Sequence, residues 1–168
     1  MLKRVLLIMP ITMALDTAAY AAEDANCDLP RAINARVLHE LLGHRSVEII
    51  SRAGRTDWNS DPRLSQLLSL SADFGTGAGD VGVPLASGIA GARALALRMN
   101  ADSYSFKGWD YIDGPVNGCE LQQITVVFKD TGHRSYSELT FRYINGRLVT
   151  AKGWQGSYIE GPLEPPGK

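Results

Sequence analysis

Two stretches of this chain have residue types near the spacing of known reactive sites. His39-Glu40 followed by His44 sits close to the HExxH arrangement of zinc peptidases, which needs two imidazoles four residues apart on one helix face. Position 43, where the second His belongs, is Gly43. Five residues carry a helix through about 500°, so the two rings would point about 140° apart and could not share a metal ion. Two partly exposed helix histidines are therefore expected, and no metal site. Gly77-Ala78-Gly79-Asp80-Val81-Gly82 fits GxGxxG, with Asp102 further on in the chain. That motif cradles a dinucleotide only when a buried strand runs into it and a helix opens straight after. Here LLSLSADF, just before it, reads as helical and Pro84 interrupts the segment after it. Residues 75–82 are expected to be a flexible Gly-rich loop, either a plain connection or a lid, and no cofactor is expected.

The remaining polar candidates are isolated. His133 lies in KDTGHRSY between two strand-like runs and reads as a solvated turn residue. No Ser has a GxSxG context, and no Asp/Glu cluster has the spacing of a metal loop. No catalytic residue is assigned. The group with the most binding chemistry is aromatic: Tyr104, Trp109, Tyr111, Tyr143 and Trp154. Amphipathic rings of this kind can line a ligand pocket with their polar tips inward, or simply pack helices onto a sheet. Lys152 is expected to share a sheet face with Leu139, either meeting an anionic ligand or sitting in water at the rim.

The start of the chain carries an address. Lys3 and Arg4 precede an apolar run from Val5 to Leu15, and Ala19-Tyr20-Ala21 presents small residues at the positions a signal peptidase reads. The run is too short for a bilayer span, which takes about 20 residues. Residues 1–21 are expected to be a secretory signal cleaved after Ala21. Lipidation at Cys27 is not expected, because Asp24 and Asn26 do not suit that processing. Cleavage removes Lys3, Arg4 and Asp16, leaving 15 basic and 17 acidic side chains. No later segment approaches membrane-spanning length, so no anchor is expected after cleavage. With 17 Lys+Arg against 18 Asp+Glu in 168 residues, nothing supports nucleic-acid binding, which needs clustered excess positive charge. Cys27 and Cys119, both retained in an exported chain, are expected to pair as a structural disulfide.

The elements that must position these groups can be read from periodicity. Asp28-Leu29-Pro30 signals a helix start, and Ile33, Val37, Leu38, Leu41 and Leu42 recur at helical spacing; Gly43 could end or kink that helix. Ser60-Asp61-Pro62 opens a second, with Leu64, Leu67, Leu68 and Leu70. Ser87 caps a third, which ends near Asn100. From residue 104 the period changes to alternation: residues 104–111, then Ile124, Val126 and Phe128, then Leu139, Phe141 and Tyr143. Asn145-Gly146 between FRYI and RLVT predicts a two-residue hairpin turn that pairs Tyr143 with Leu148 and Phe141 with Thr150. The whole predicts one α+β domain over residues 22–160, with N-terminal helices packed on a curved antiparallel sheet formed mainly by the C-terminal half. A Pro/Gly-rich tail, 161–168, completes the chain.

This order of elements, together with the closing pattern YSELTFRYINGRLVTAKGW, resembles the nuclear transport factor 2-like, or cystatin-like cone, superfamily. The resemblance covers most of residues 30–158 and departs at 73–86, which is richer in Gly than the strand pair expected there. It implies a cone in which helices and concave sheet enclose an apolar pocket. Some members are isomerases, dehydratases or polyketide cyclases that move a proton with a pocket carboxylate or His; many others bind ligands or partners, and some pair through their sheets. No catalytic residue of the family maps onto this sequence. Three functions remain: a binding module for a small apolar ligand or a protein partner (an envelope accessory or immunity-type protein), a small pocket enzyme with Asp73, Asp102 or Asp110 as its base, or a protein that serves only to dimerise.

Overall fold

The first helix begins later than the Asp28-Leu29-Pro30 signal suggests. In the computed structural model, which describes residues 27–78, 81–108 and 113–158, β1 (Ile33–Asn34) pairs with β5 (Pro115–Val116) and helix α1 spans Ala35–Gly54. Asn34 is the cap: its side-chain oxygen accepts from the backbone N–H groups of Arg36 and Val37, two of the donors a helix start leaves open. Asp28 is instead ion-paired with Arg45 at 3.0 Å. Gly118 N–H donates to the Pro30 carbonyl at 3.0 Å, and Cys27 is bonded to Cys119 with their Cα atoms 5.8 Å apart. Residues 27–34 are thus an arm tied down by four kinds of contact. Helix α1 runs through Gly43 without a break, and Leu38, Leu42, Ile49 and Ala53 form its fully buried stripe.

Helix α2 (Pro62–Leu67) starts where expected, with Asp61 accepting from Arg63 N–H. It ends after six residues, and the chain becomes strand β2 (Leu68–Ala78). The LLSLSADF stretch is therefore mostly strand, and Leu70, expected on a helical stripe, is 76% exposed. Strand β3 (Val81–Pro84) pairs antiparallel with β2, so the Gly-rich stretch expected as a flexible loop is largely the two arms of a hairpin. The lid reading is set aside for those arms; residues 79 and 80 lie outside the described residues, as do the proposed signal with Ala21 and the tail 161–168. Helix α3 (Gly88–Met99) begins after Ser87 as expected, and Asn100 closes it in the left-handed conformation (φ 46°). Gly91 lies directly against the Ala86 carbonyl and the Phe74 ring, where a side chain would collide.

Strands β4 (Ser103–Lys107), β6 (Gln122–Asp130), β7 (Ser135–Ile144) and β8 (Arg147–Ser157) complete a curved six-stranded sheet of order β3-β2-β8-β7-β6-β4. All neighbours are antiparallel except β2 and β8, which run parallel. Asn145 and Gly146 form the predicted turn, both with positive φ, and Tyr143 pairs with Leu148 as expected. The register then shifts by one: Arg142 faces Thr150 and Phe141 faces Ala151, not Thr150. Val149 is the extra residue, a β-bulge. Beyond it every side chain changes face, so Lys152 lies opposite Thr140 and shares no face with Leu139.

The helices cover one face of this sheet. Ile124, Val126, Phe128, Leu139, Phe141, Tyr143, Leu148, Ala151 and Phe74 meet Leu38, Leu42, Ile49, Ala92 and Leu95 in one buried cluster. Tyr143 is fully buried within it, its hydroxyl 2.7 Å from Ser46 Oγ. Ser46 Oγ in turn donates to the Leu42 carbonyl at 2.9 Å, so Tyr143 is the donor to Ser46. Burial pushes the Tyr143 hydroxyl far above its ordinary pKa.

Two stability outcomes are expected. Tyr143→Phe should cost only about 1 kcal/mol, because Ser46 keeps its carbonyl partner, whereas Tyr143→Ala should cost about 3–5 kcal/mol by leaving a cavity; urea titration reads both. Replacing Cys27 and Cys119 together by Ser should cost about 4–5 kcal/mol in the chain-entropy model, and the intact protein should weigh two hydrogens less than its reduced form.

Candidate functional site

On the helix side, the C-terminal half of α1, the end of α3 and edge strand β4 enclose a cleft of about 500 Å³. Its floor is apolar, made by Val47, Ile50, Ala96 and Phe128, and its rim carries Ser51, Asn100, Asp102 and Arg55. Tyr104 is one wall. It sits beside Phe128 by strand pairing and is 46% exposed, an aromatic ring with a phenol free to reach a ligand. Leu97, 59% exposed, stands in the opposite wall. The cleft opens toward a further apolar strip: Phe106 lies 5.4 Å from Tyr104 and takes the His44 ring edge-on at 5.2 Å. Val37 and Leu41, both exposed, are on the same side of α1 as His44 by helical spacing.

The five aromatic candidates are not gathered into one site. Tyr104 lines the helix-side cleft, Tyr143 is locked in the core, and Trp154 stands on the opposite sheet face, 49% exposed. Trp109 and Tyr111 lie outside the described residues. Sequence reasoning missed the apolar partnership around Tyr104, because it singled out none of Val47, Ile50, Ala96 and Leu97 as partners of that ring.

Hydrogen bonds hold the Asp102 and Asp130 carboxylates in their charged form. Asp102 accepts from the side-chain hydroxyl and backbone N–H of Thr131, and these bonds push its pKa down. Asp73 is ion-paired with Lys152 on the face away from the helices; Asp110 lies outside the described residues. Asp130 is the most perturbed: it accepts from Asn100 Nδ2 at 3.0 Å, from His133 N–H at 3.0 Å and from the His133 ring at 2.6 Å. With Asn100 the largest influence and His133 next, its pKa falls to about 2. His133 itself is a turn residue with its side chain 77% exposed. His39 is half-buried on α1, and that burial lowers its pKa; His44, on another side of the helix, packs on Phe106. Among the described residues no three His, Cys, Asp or Glu side chains converge as metal ligands do.

Comparison with solved structures places this architecture. An NTF-2-like protein of unknown function from Silicibacter pomeroyi is 13% identical, with 71% of this chain and 96% of that one covered at a TM-score of 0.41. A de novo designed NTF2-fold protein is 14% identical, over 69% and 85%, at 0.40. A phenazine biosynthesis-related protein from Pseudomonas aeruginosa is 11% identical, over 68% and 77%, at 0.34. The chain is similar in fold to nuclear transport factor 2-like proteins. At these identities and scores the likeness concerns the outline of the fold, and nothing about activity is taken from it. No protein-family model matches the chain, and no curated protein matches it in sequence.

The Asp130 cluster has a pH signature. Its folded pKa, about 2, is below the ordinary 3.8, so the native state favours the charged form. Its contribution to stability is complete above pH 3.8 and is lost as pH falls through 2. Asp130→Asn should lower the melting temperature at pH 7 and flatten the acid limb of a stability-versus-pH curve between those values. An unchanged acid limb would show that the cluster does not hold the Asp130 charge.

Proposed function

We propose that the chain is an exported binding module that takes a small, largely apolar ligand in the cleft between α1, α3 and β4. The observation that carries this reading is the cleft itself: Val47, Ile50, Ala96 and Phe128 beneath a half-exposed Tyr104, with Ser51, Arg55, Asn100 and Asp102 beside them. That is the make-up of a small-molecule site, where apolar walls supply affinity and a few polar groups fix orientation. Export is supported by Lys3-Arg4, the apolar run to Leu15 and Ala19-Tyr20-Ala21, and the Cys27–Cys119 bond fits an oxidising compartment. No helix among the described residues is long and apolar enough to cross a membrane.

The enzyme reading is weaker on physical grounds. Proton abstraction near neutral pH calls for a desolvated carboxylate with a raised pKa. Asp102, the candidate nearest the cleft, is held in its charged form by Thr131. Asp73 is neutralised by Lys152 on the other side of the sheet.

Expression of the full chain in a Gram-negative host tests both halves. Export predicts periplasmic protein whose N-terminal sequence starts at Ala22; cytoplasmic protein retaining Met1 would refute it. The purified protein should bind 1-anilinonaphthalene-8-sulfonate with enhanced fluorescence. Ser51→Trp, which fills the cleft from its exposed rim, and Tyr104→Ala should each weaken that binding about tenfold, a loss of roughly 1.4 kcal/mol. Probe binding unchanged in both variants would remove the cleft as the site.

A further inference from the structure

The sheet face turned away from α1 and α3 carries a second recess, which shares no residue with the helix-side cleft. It measures about 440 Å³ and lies over β3, β2, β8 and β7, between Gly75, Gly82, Val83, Pro84, Glu138, Thr140, Lys152 and Trp154. We infer that it binds an uncharged saccharide chain, with one sugar ring stacked on Trp154.

The Val149 bulge is what builds it. By reversing the alternation of β8, it sends Lys152 and Trp154 outward, opposite Thr140 and Glu138 of β7. Gly75 and Gly82 leave backbone alone on the β2–β3 side, so a flat ring can approach the strands closely. Trp154, 49% exposed, holds apolar surface in water beside this floor. An indole face open to solvent is matched by the C–H face of a pyranose ring, which is apolar while its edge is all hydroxyl.

Charge decides the ligand class. Among the described residues, the charged side chains at the recess have opposite partners: Lys152 is paired with Asp73, and Lys107 Nζ lies 2.8 and 2.7 Å from the two Glu138 carboxylate oxygens. An anionic or cationic ligand would have to break a pair to gain one. A neutral polyol need break none, because each pair still offers donors on its ammonium and acceptors on its carboxylate. The same four charges make the face costly for an apolar protein partner, which would strip their water.

The test is a ¹H–¹⁵N NMR titration of the oxidised, signal-cleaved protein with cellohexaose, maltohexaose and chitohexaose in turn, each to about 10 mM, above the millimolar range of weak binding. At least one should give saturable shifts at the Trp154 indole N–H and at the amides of Thr76, Gly82, Thr140 and Lys152. Trp154→Ala should weaken that binding about tenfold or more, Trp154→Phe should weaken it less, and Tyr104→Ala should leave it unchanged. Trp154→Phe keeps a ring in place, so it decides the matter if Trp154→Ala does not fold. No shift with any of the three, shifts undiminished without the indole, or shifts confined to the helix-side cleft would each overturn the assignment. So would sedimentation showing a dimer that Trp154→Ala dissociates, since the face would then belong to a second copy.

Discussion

Strand β8 is the element on which the rest of the structure depends. It is hydrogen-bonded along both edges, antiparallel to β7 and parallel to β2, so an error in its register would propagate in both directions across the sheet. One residue governs that register. Val149 bulges out between the Tyr143–Leu148 and Arg142–Thr150 pairs, and with it Ala151 turns inward against Phe141 while Lys152 and Trp154 turn outward. Without the bulge, Phe141 would meet Thr150 and Lys152 would lie alongside Leu139, under the helices. A lysine there would be stripped of water with no carboxylate in reach, a large penalty. The polar pattern of the strand therefore selects the bulged register.

Much of this fold was legible because it is written in local chemistry. Asn145-Gly146 admits positive φ at both central positions and sets the hairpin. The cap positions Asp61, Ser87 and Asn100 bound two helices where the sequence places them. The failures occurred where one short pattern satisfied two periods at once. Leu64, Leu67 and Leu68 fit a helical stripe, and continuing that stripe to Leu70 hid the switch to strand at Leu68. The burial of Ala72 and Phe74, after a register irregularity between Leu68 and Asp73, becomes visible only once β8 is present as their parallel neighbour. Parallel pairing between residues some 80 positions apart leaves no local trace, nor does a one-residue bulge.

The same division explains the candidate sites. Aromatic residue type identified Tyr104, Tyr143 and Trp154 as notable, but type alone could not sort them among cleft wall, core and outer face. That sorting depends on strand parity, which the bulge inverts for Trp154, and on Ser46, which gives the Tyr143 hydroxyl a partner in the core. Lys152, expected either at a rim in water or against an anionic ligand, lies on the outer face with its side chain 54% exposed and paired with Asp73. The disulfide was predictable from compartment logic, whereas the arm that it anchors was mistaken for a first helical turn. Asp28 is an adequate helix cap in isolation, and only the proximity of Arg45 recruits it elsewhere.

The filled core also constrains how the two recesses can relate. Between the helix-side cleft and the outer trough lie Phe74, Leu139, Phe141 and Ala151, all fully buried and closely packed. Such interiors do not deform continuously, so a ligand on one face has no open path to the other and can influence it only through the strands themselves. The edges offer the freer route. β4, paired on one side only, carries Tyr104 into the helix-side cleft and Lys107 to an ion pair with Glu138, which borders the outer recess. Tyr104 faces Phe128 and Lys107 faces Thr125 on β6, so a shift of β4 along β6 would move both a wall of the cleft and the ion pair that borders the outer recess.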